Sequence, residues 1–382
     1  MHIGILTFHA PHNFGSMLQN YALQQFLIAE GHSVETINLR NEKQKFMYSH
    51  PLCKGRRTPS VRSILRQFKD PYWLYTECKT WALFEKFLRK ELILTKEYKN
   101  WDDIKNALPE LKYDTIIVGG DQIWNTFCYD FDWSYYLPDN ISPIKKIACS
   151  PSFGNVIPRT KKDTIRVANI KKCLENFDFL SIREQDGSDY LHELLNKDIP
   201  VIADPTILAD PSIYCKLLNE RIVKEPYIYY YTPSHIPDYE AEEIAIELAK
   251  QLNIKIVTSY PHFRRRNEMK SISTGPKEFL NLVNNAELVT GKSFHLVVFS
   301  ILFHKKFVTI KSGKDARMSS LLNKVGISNR NIDTVEDFQH IQELDYRIAD
   351  KELDILRTTS TTYLRSTLSS SNSEVISKRP ID

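Results

Sequence analysis

Apolar positions fall into short unbroken runs, separated by stretches whose apolar residues recur at helical spacing. The runs at 3–8, "SVETINL", "YDTIIVGG", "KKIACS" and "FDFLSI" read as strands buried on both faces. Between the first two, Leu18, Ala22, Leu23, Phe26 and Leu27 give one apolar helix face. Ser16 and Gln19 have the form of a capping box at its start, and Gly31 ends it. Further helices are predicted over 161–176 and 184–195, and "IPVIADPTIL" closes this half. The pattern restarts after 210–225. Strands at "YIYYY", "IKIVTS", "ELVT" and "KFVTI" alternate with helices over 239–252, 276–284, 294–303 and 318–325, and 334–357 continues as helix.

Alternation of this kind predicts the α/β class, with two Rossmann-like domains facing a cleft in a glycosyltransferase-B-like arrangement. The N-terminal domain is placed at 1–205. It carries an insertion at about 44–100, where the apolar signal weakens and Pro51, Pro59 and Pro71 punctuate the chain. Helices at 61–69 and 78–91 are expected inside it, as a mobile arm. The C-terminal domain is placed at 206–357. The tail, 358–382, is rich in Ser and Thr and is expected to be flexible.

Ligands of open α/β sheets sit beyond the carboxyl ends of the strands, so polar groups just after predicted strands are the candidates. After the first strand comes "HNFGS". Gly15 and Ser16 leave backbone N–H groups free at a helix start, an anion site or a plain capped turn, with Asn13 beside them. In "VGGDQIWN", Asp121 can accept a sugar hydroxyl and Trp124 can stack on a pyranose; equally, Asp121 can form a turn and Trp124 fill the core. Arg183 stands where a strand gives way to a helix. Its guanidinium can grip a carboxylate or phosphate, or pair with Glu184 or Asp186. Asp204, in "ADPTIL", reads as structural. Lys292, Ser293, Phe294 and His295 open a helix that is apolar all round. A lysine, a histidine and a helix N-terminus together favour an anionic group. Arg317, with Asp315, precedes a further helix, and "HFRRRN" is a basic loop.

Net charge is +4 and the basic residues form no stripe with interleaved aromatics, which disfavours a nucleic-acid binder. The six cysteines are scattered without CxxC or CxxH spacing, so no metal site or redox pair is expected. The N-terminus reads as a strand and no apolar run of membrane-spanning length occurs. A cytoplasmic location with free thiols is expected. The basic residues of 53–69 leave open a weak peripheral contact with the inner membrane face.

Seven pieces, "HNFGSMLQNYAL", "VGGDQIWN", "ACSPSFG", "SIREQDG", "IADPTIL", "TGKSFHLVVFSILFHKKF" and "DARMSSLLNKVGI", run in order and resemble the polysaccharide pyruvyl transferase family. The resemblance implies transfer of the pyruvyl unit of phosphoenolpyruvate to a sugar of a cell-surface or capsular polysaccharide precursor. A ketal forms, phosphate leaves, and no metal or other cofactor is needed. It implies that Ser293, Phe294 and His295 contact phosphoenolpyruvate together with Arg183. The acceptor would be a sugar or a lipid-linked oligosaccharide. Leu296 stands where the family commonly has glycine, and Gly291 and Lys292 where many members have Asp or Arg. Histidine titrates near neutrality, which makes His295 the acid–base candidate. Lys292 would help Arg183 hold the anionic groups, with Asp121 and Trp124 facing the sugar. The competing readings are a nucleotide-sugar glycosyltransferase of similar fold and a non-catalytic sugar-binding protein.

Overall fold

The computed structural model describes residues 1–53, 71–159, 161–233, 238–259, 268–312 and 315–370. The expected helix at 61–69, nearly all of the basic stretch 53–69, the loop "HFRRRN" and residues 371–382 lie outside them. The first sheet holds β1 (His2–Leu6), β2 (Ser33–Leu39), β3 (Leu94–Tyr98), β4 (Thr115–Gly119) and β5 (Lys145–Cys149) in the order β3-β2-β1-β4-β5. The second holds β6 (Tyr227–Tyr231), β7 (Lys255–Thr258), β8 (Met269–Ser271), β9 (Leu288–Gly291), β10 (Phe307–Ile310) and β11 (Asn331–Ile332), ordered β11-β10-β9-β6-β7-β8. Every pairing is parallel. Strand direction of travel reverses between β1 and β4 in one sheet and between β6 and β9 in the other, which opens a crevice at each point.

The strands are buried on both faces, as their runs of Ile, Val and Tyr require. In β6, Tyr227 and Tyr229 join the core shared by the two halves, while Ile228 and Tyr230 join the core beneath the second sheet. The helices that position the crevice residues are α1 (Phe14–Ala29), α2 (Glu42–Met47), α3 (Pro71–Glu91), α4 (Trp101–Leu111), α5 (Thr164–Leu174), α6 (Gln185–Leu195), α7 (Pro205–Leu208), α8 (Ser212–Cys215), α9 (Tyr239–Leu252), α10 (Pro276–Asn285), α11 (Phe294–Leu302), α12 (Ala316–Lys324) and α13 (Tyr346–Ser369). Phe294 to Ile301 of α11 are all buried, because this helix is covered from both halves. No helix among the described residues is long and apolar enough to cross a membrane.

Four expectations are corrected. Helix α1 is capped by Asn13, whose carbonyl oxygen accepts from the Gly15 and Ser16 N–H groups at 2.9 and 3.3 Å. Gln19 turns instead into the β1 end and donates to Thr7 Oγ1 and Phe8 O. The segment about 44–100 is not simply an arm. Its β3 completes the first sheet, and α3 packs on α10, tied by a 2.7 Å ion pair between Lys277 and Glu91. "FDFLSI" forms only single bridges, Ile147 with Phe179 and Ile182 with Val201. The predicted helix over 334–357 breaks at 341–345, and α13 then continues through the expected flexible tail to Ser369. Composition misleads there because the hydroxyls bond back to their own helix, as Ser360 does to Leu356 O at 2.7 Å, while Leu364 and Leu368 are buried. The first half grips this helix: Lys145 Nζ donates to the Thr367, Leu368 and Ser370 carbonyls.

Candidate active site between the two sheets

Strand β1, β4, β6 and β9 ends converge on one crevice, and the groups that line it come from both halves. Ser293 caps α11, its hydroxyl accepting from the Leu296 N–H at 3.4 Å. The cap fixes Phe294 and His295 in the first turn. The His295 ring lies directly on the Cα of Gly15, in the first turn of α1. A methyl group at 15 would overlap the imidazole. Glycine is therefore needed at that position for close approach of the two halves.

Below His295 lies a buried charge cluster. Arg183 Nη1 donates to Asp204 Oδ2 at 2.6 Å, its Nε stands 3.8 Å from Glu184 Oε2, and its guanidinium lies 4.8 Å from the Phe294 ring centroid. Asp204 caps the short α7, its Oδ1 accepting from Thr206 N and Oγ1, and it sits 3.6 Å from His295 Nε2. Burial pushes the Asp204 carboxyl upward, but His295, Arg183 and Thr206 outweigh it and hold the group well below the usual carboxylate range. For Arg183, burial is likewise outweighed, here by Asp204, Glu184 and Asp121, so it is more firmly protonated than a free guanidinium. Glu184 is raised by its burial despite Arg183, and it accepts from Ser152 Oγ and Phe153 N at 2.9 Å each. Three donor positions are left over. Arg183 Nε and Nη2 and His295 Nε2 are buried without a hydrogen-bond partner. Such a surplus is costly unless a ligand takes it up.

Asp121 enters from the β4 end with positive φ and accepts from the Gln122 N–H at 2.8 Å and from the Ser16 hydroxyl. Gly120 before it packs on Gln19, where a methyl would overlap the side-chain oxygen. Arg317, in the first turn of α12, is held by Asp315 through Nε and Nη2, and shares a narrow pocket with Arg183, Asp204 and Phe294. The structure thus brings together Gly15, Ser16, Asp121, Arg183, Phe294, His295 and Arg317. Asn13 and Ser293 act as caps around them. Lys292 is adjacent in sequence, but its ammonium pairs with Asp238.

Trp124 is the clear correction. It is fully buried, stacked on Tyr136 at 5.4 Å, and donates from Nε1 to Tyr135 O. It is a core aromatic and cannot reach a sugar. Leu296 points into the shared core and so takes no room from the crevice. Asp204 was underrated by sequence; its signal is an acid before proline at the exit of the last strand-like segment, where the helix N-terminus and the cleft coincide. Among the described residues, no group of three or more His, Cys, Asp or Glu could hold a metal ion.

A family model described as polysaccharide pyruvyl transferase matches residues 13–313. A search of curated proteins finds no match. Among solved structures, the UDP-GlcNAc 2-epimerase from Neisseria meningitidis bound to UDP-GlcNAc superposes with a TM-score of 0.56 at 12% identity, over 97% of this chain and 100% of that one. The S. aureus MnaA–UDP co-structure gives 0.53 at 10%, over 100% and 99%. A putative UDP-N-acetylglucosamine 2-epimerase from Listeria monocytogenes gives 0.51 at 9%, over 94% and 90%. Likeness at these identities is one of fold: two α/β halves across a cleft, glycosyltransferase-B-like.

Proposed function

Because the chain belongs to the polysaccharide pyruvyl transferase family, an enzyme family, we propose that it moves the pyruvyl unit of phosphoenolpyruvate onto two hydroxyls of a polysaccharide-precursor sugar. The observation that carries this reading is the set of buried, unpartnered N–H groups of Arg183 beside His295, assembled from both halves. They suit a small, doubly anionic donor. Arg183 and the α11 N-terminus bind its carboxylate or phosphate, and Arg317 is the neighbouring cation.

The reaction needs a proton at the methylene carbon of phosphoenolpyruvate, which leaves an oxocarbenium-like centre at C2. His295 supplies it, while Asp204, 3.6 Å from its Nε2, stands behind the ring. The first sugar hydroxyl adds at C2 and gives up its proton. Phosphate then leaves, and the second hydroxyl closes the ketal. Of the two hydroxyl protons, one replaces that given to the methyl group and one departs with phosphate. Asp121 and Ser16 orient the acceptor. The acceptor is a sugar or lipid-linked oligosaccharide, no cofactor beyond the donor is invoked, and the reaction takes place in the cytoplasm.

Titration with phosphoenolpyruvate followed by thermal unfolding tests the donor. A ligand at a hundred times its dissociation constant adds about 2.7 kcal/mol of apparent stability. Stabilisation by UDP-sugars and not by phosphoenolpyruvate would favour a glycosyltransferase. His295→Ala should lower phosphate release in the presence of acceptor by about 100-fold or more, and near-normal turnover would remove His295 from the mechanism.

A further inference from the structure

A second histidine, His12, stands directly before Asn13, the N-cap of α1, three residues before Gly15, and the mechanism above does not use it. His12 Nε2 lies 3.2 Å from Glu85 Oε1 on α3, and the same oxygen accepts from Arg40 Nη2 at 3.3 Å. The His12 ring is stacked on Phe84 at 4.9 Å, with Tyr48 and Trp81 on its other edges. Phe84 stacks in turn on Phe14, and Phe14 on Phe279 of α10. The imidazole is therefore fixed in plane by packing and in rotation by Glu85. The groups that face it are Glu85, Arg40, Tyr48 and Trp81.

The protonation state follows from these contacts. Burial holds His12 below the usual histidine value even though Glu85 opposes this, so the ring is neutral near pH 7. Burial pushes Glu85 upward, but His12 and Arg40 outweigh it and keep the carboxyl ionised. A carboxylate can only accept, so the hydrogen sits on His12 Nε2 and Nδ1 carries a lone pair. Nδ1 makes no hydrogen bond to any described residue, and the His12 side chain keeps 14% of its exposure. A neutral histidine oriented by a carboxylate, with its other nitrogen unpartnered just before the first turn of α1, has the form of a general base.

Resting on the pyruvyl-transfer reading, we propose that His12, oriented by Glu85, is the base that takes the proton of the attacking acceptor hydroxyl. The O–H bond breaks, its proton moves to His12 Nδ1, and the oxygen lone pair forms the new bond to C2 of the donor. The C2–C3 π electrons accept the proton held by His295. The imidazolium at 12 then passes its proton to the departing phosphate, and the second hydroxyl's proton restores His295. His12 is the catalytic residue of this step and Glu85 its positioning residue.

Two measurements on the full chain test this. Long-range nitrogen–proton NMR, with the His12 signals assigned by their loss in His12→Gln, should show a neutral Nε2–H tautomer at pH 7. In Glu85→Gln the His12 titration should move to lower pH. A charged ring, an Nδ1–H tautomer, or a titration unmoved by Glu85→Gln would overturn the dyad without reference to any substrate. The second measurement uses phosphoenolpyruvate with a panel of methyl hexopyranosides, read by mass spectrometry for the pyruvyl ketal. His12→Gln and Glu85→Gln should lose about 100-fold in ketal formation while phosphoenolpyruvate still raises their unfolding temperature, and Glu85→Asp should recover part of the loss. Undiminished product from His12→Gln would overturn the assignment. Failure of the wild-type chain to be stabilised by phosphoenolpyruvate would instead count against the pyruvyl-transfer reading.

Discussion

Replacing Asp204 by Asn probes the charge cluster beneath the crevice. The substitution keeps the size of the side chain and an oxygen for Thr206, but removes the negative charge that Arg183 Nη1 touches at 2.6 Å. Arg183 and Asp204 side chains are 3% and 0% exposed, so solvent cannot replace the lost partner. Breaking one side of such a buried pair costs about 3–5 kcal/mol. At about 1.2 °C per kcal/mol for a cooperative unit of 382 residues, the midpoint should fall by about 4–6 °C. Arg183→Met should destabilise comparably, because it leaves Asp204 buried and facing only His295 and Thr206. The double variant Arg183→Met/Asp204→Asn removes both charges together, and its loss should be smaller than the sum of the two by about 1–3 kcal/mol. Denaturant unfolding measures all three, with phosphoenolpyruvate titration in parallel. The double variant should regain stability without regaining donor binding. Additive losses would refute the paired-charge argument, and donor binding by the double variant would remove Arg183 from the donor site.

Gly15→Ala places a methyl group inside the His295 ring; phosphoenolpyruvate stabilisation should be lost, while Gly31→Ala, where nothing lies nearby, should leave it unchanged despite some backbone strain at its positive φ. Trp124→Ala should cost about 3–5 kcal/mol in denaturant unfolding, as for a large core aromatic, whereas the milder Trp124→Phe should leave donor and acceptor KM unchanged. Stability should fall in two pH windows. His9 is lowered by burial, so its contribution is full above the unfolded value of about 6.5 and is lost as pH falls from there toward the folded value. Asp204 is held below its ordinary range, so its contribution is full above about pH 4 and is lost only below that. Unfolding midpoints measured from pH 8 to 3 should show both declines, with the first made shallower in His9→Gln and further so when His12, also lowered by burial, is replaced as well.

The strand runs and the amphipathic spacing were enough to place most elements, because parallel strands buried on both faces leave a signal of four or five consecutive apolar residues. The failures have local physical causes. Ser360, Thr361 and Thr367 look like linker residues in composition, yet each bonds within α13 and is buried. Pro71 reads as a break, yet it opens α3, where a missing N–H costs nothing. In the site, Arg183 and His295 were legible because each sits where an apolar run gives way to a helix start. Asp204 and Glu85 were not. Their meaning depends on partners 91 and 73 residues away, His295 and His12, and spacing of that length carries no periodic signal.

The same distance argument explains why the crevice residues are spread over the whole chain. Gly15 lies against His295, Arg183 against Asp204 and Phe294, and Phe14 against Phe279. Gly15–His295, Arg183–Phe294 and Phe14–Phe279 each join the two halves, while Arg183–Asp204 lies within the first half beside the junction. Two elements hold the halves in this register from opposite ends of the fold. Helix α13 returns from the second sheet to be fastened by Lys145 and by Tyr363, whose hydroxyl donates to Leu180 O. Helix α3 reaches from the first half to α10, through Lys277–Glu91 and the bond from Ser273 Oγ to Thr76 O. The buried Nε and Nη2 groups of Arg183 are left without hydrogen-bond partners in this arrangement. A ligand that satisfies them would recover their desolvation penalty at the place where both halves meet.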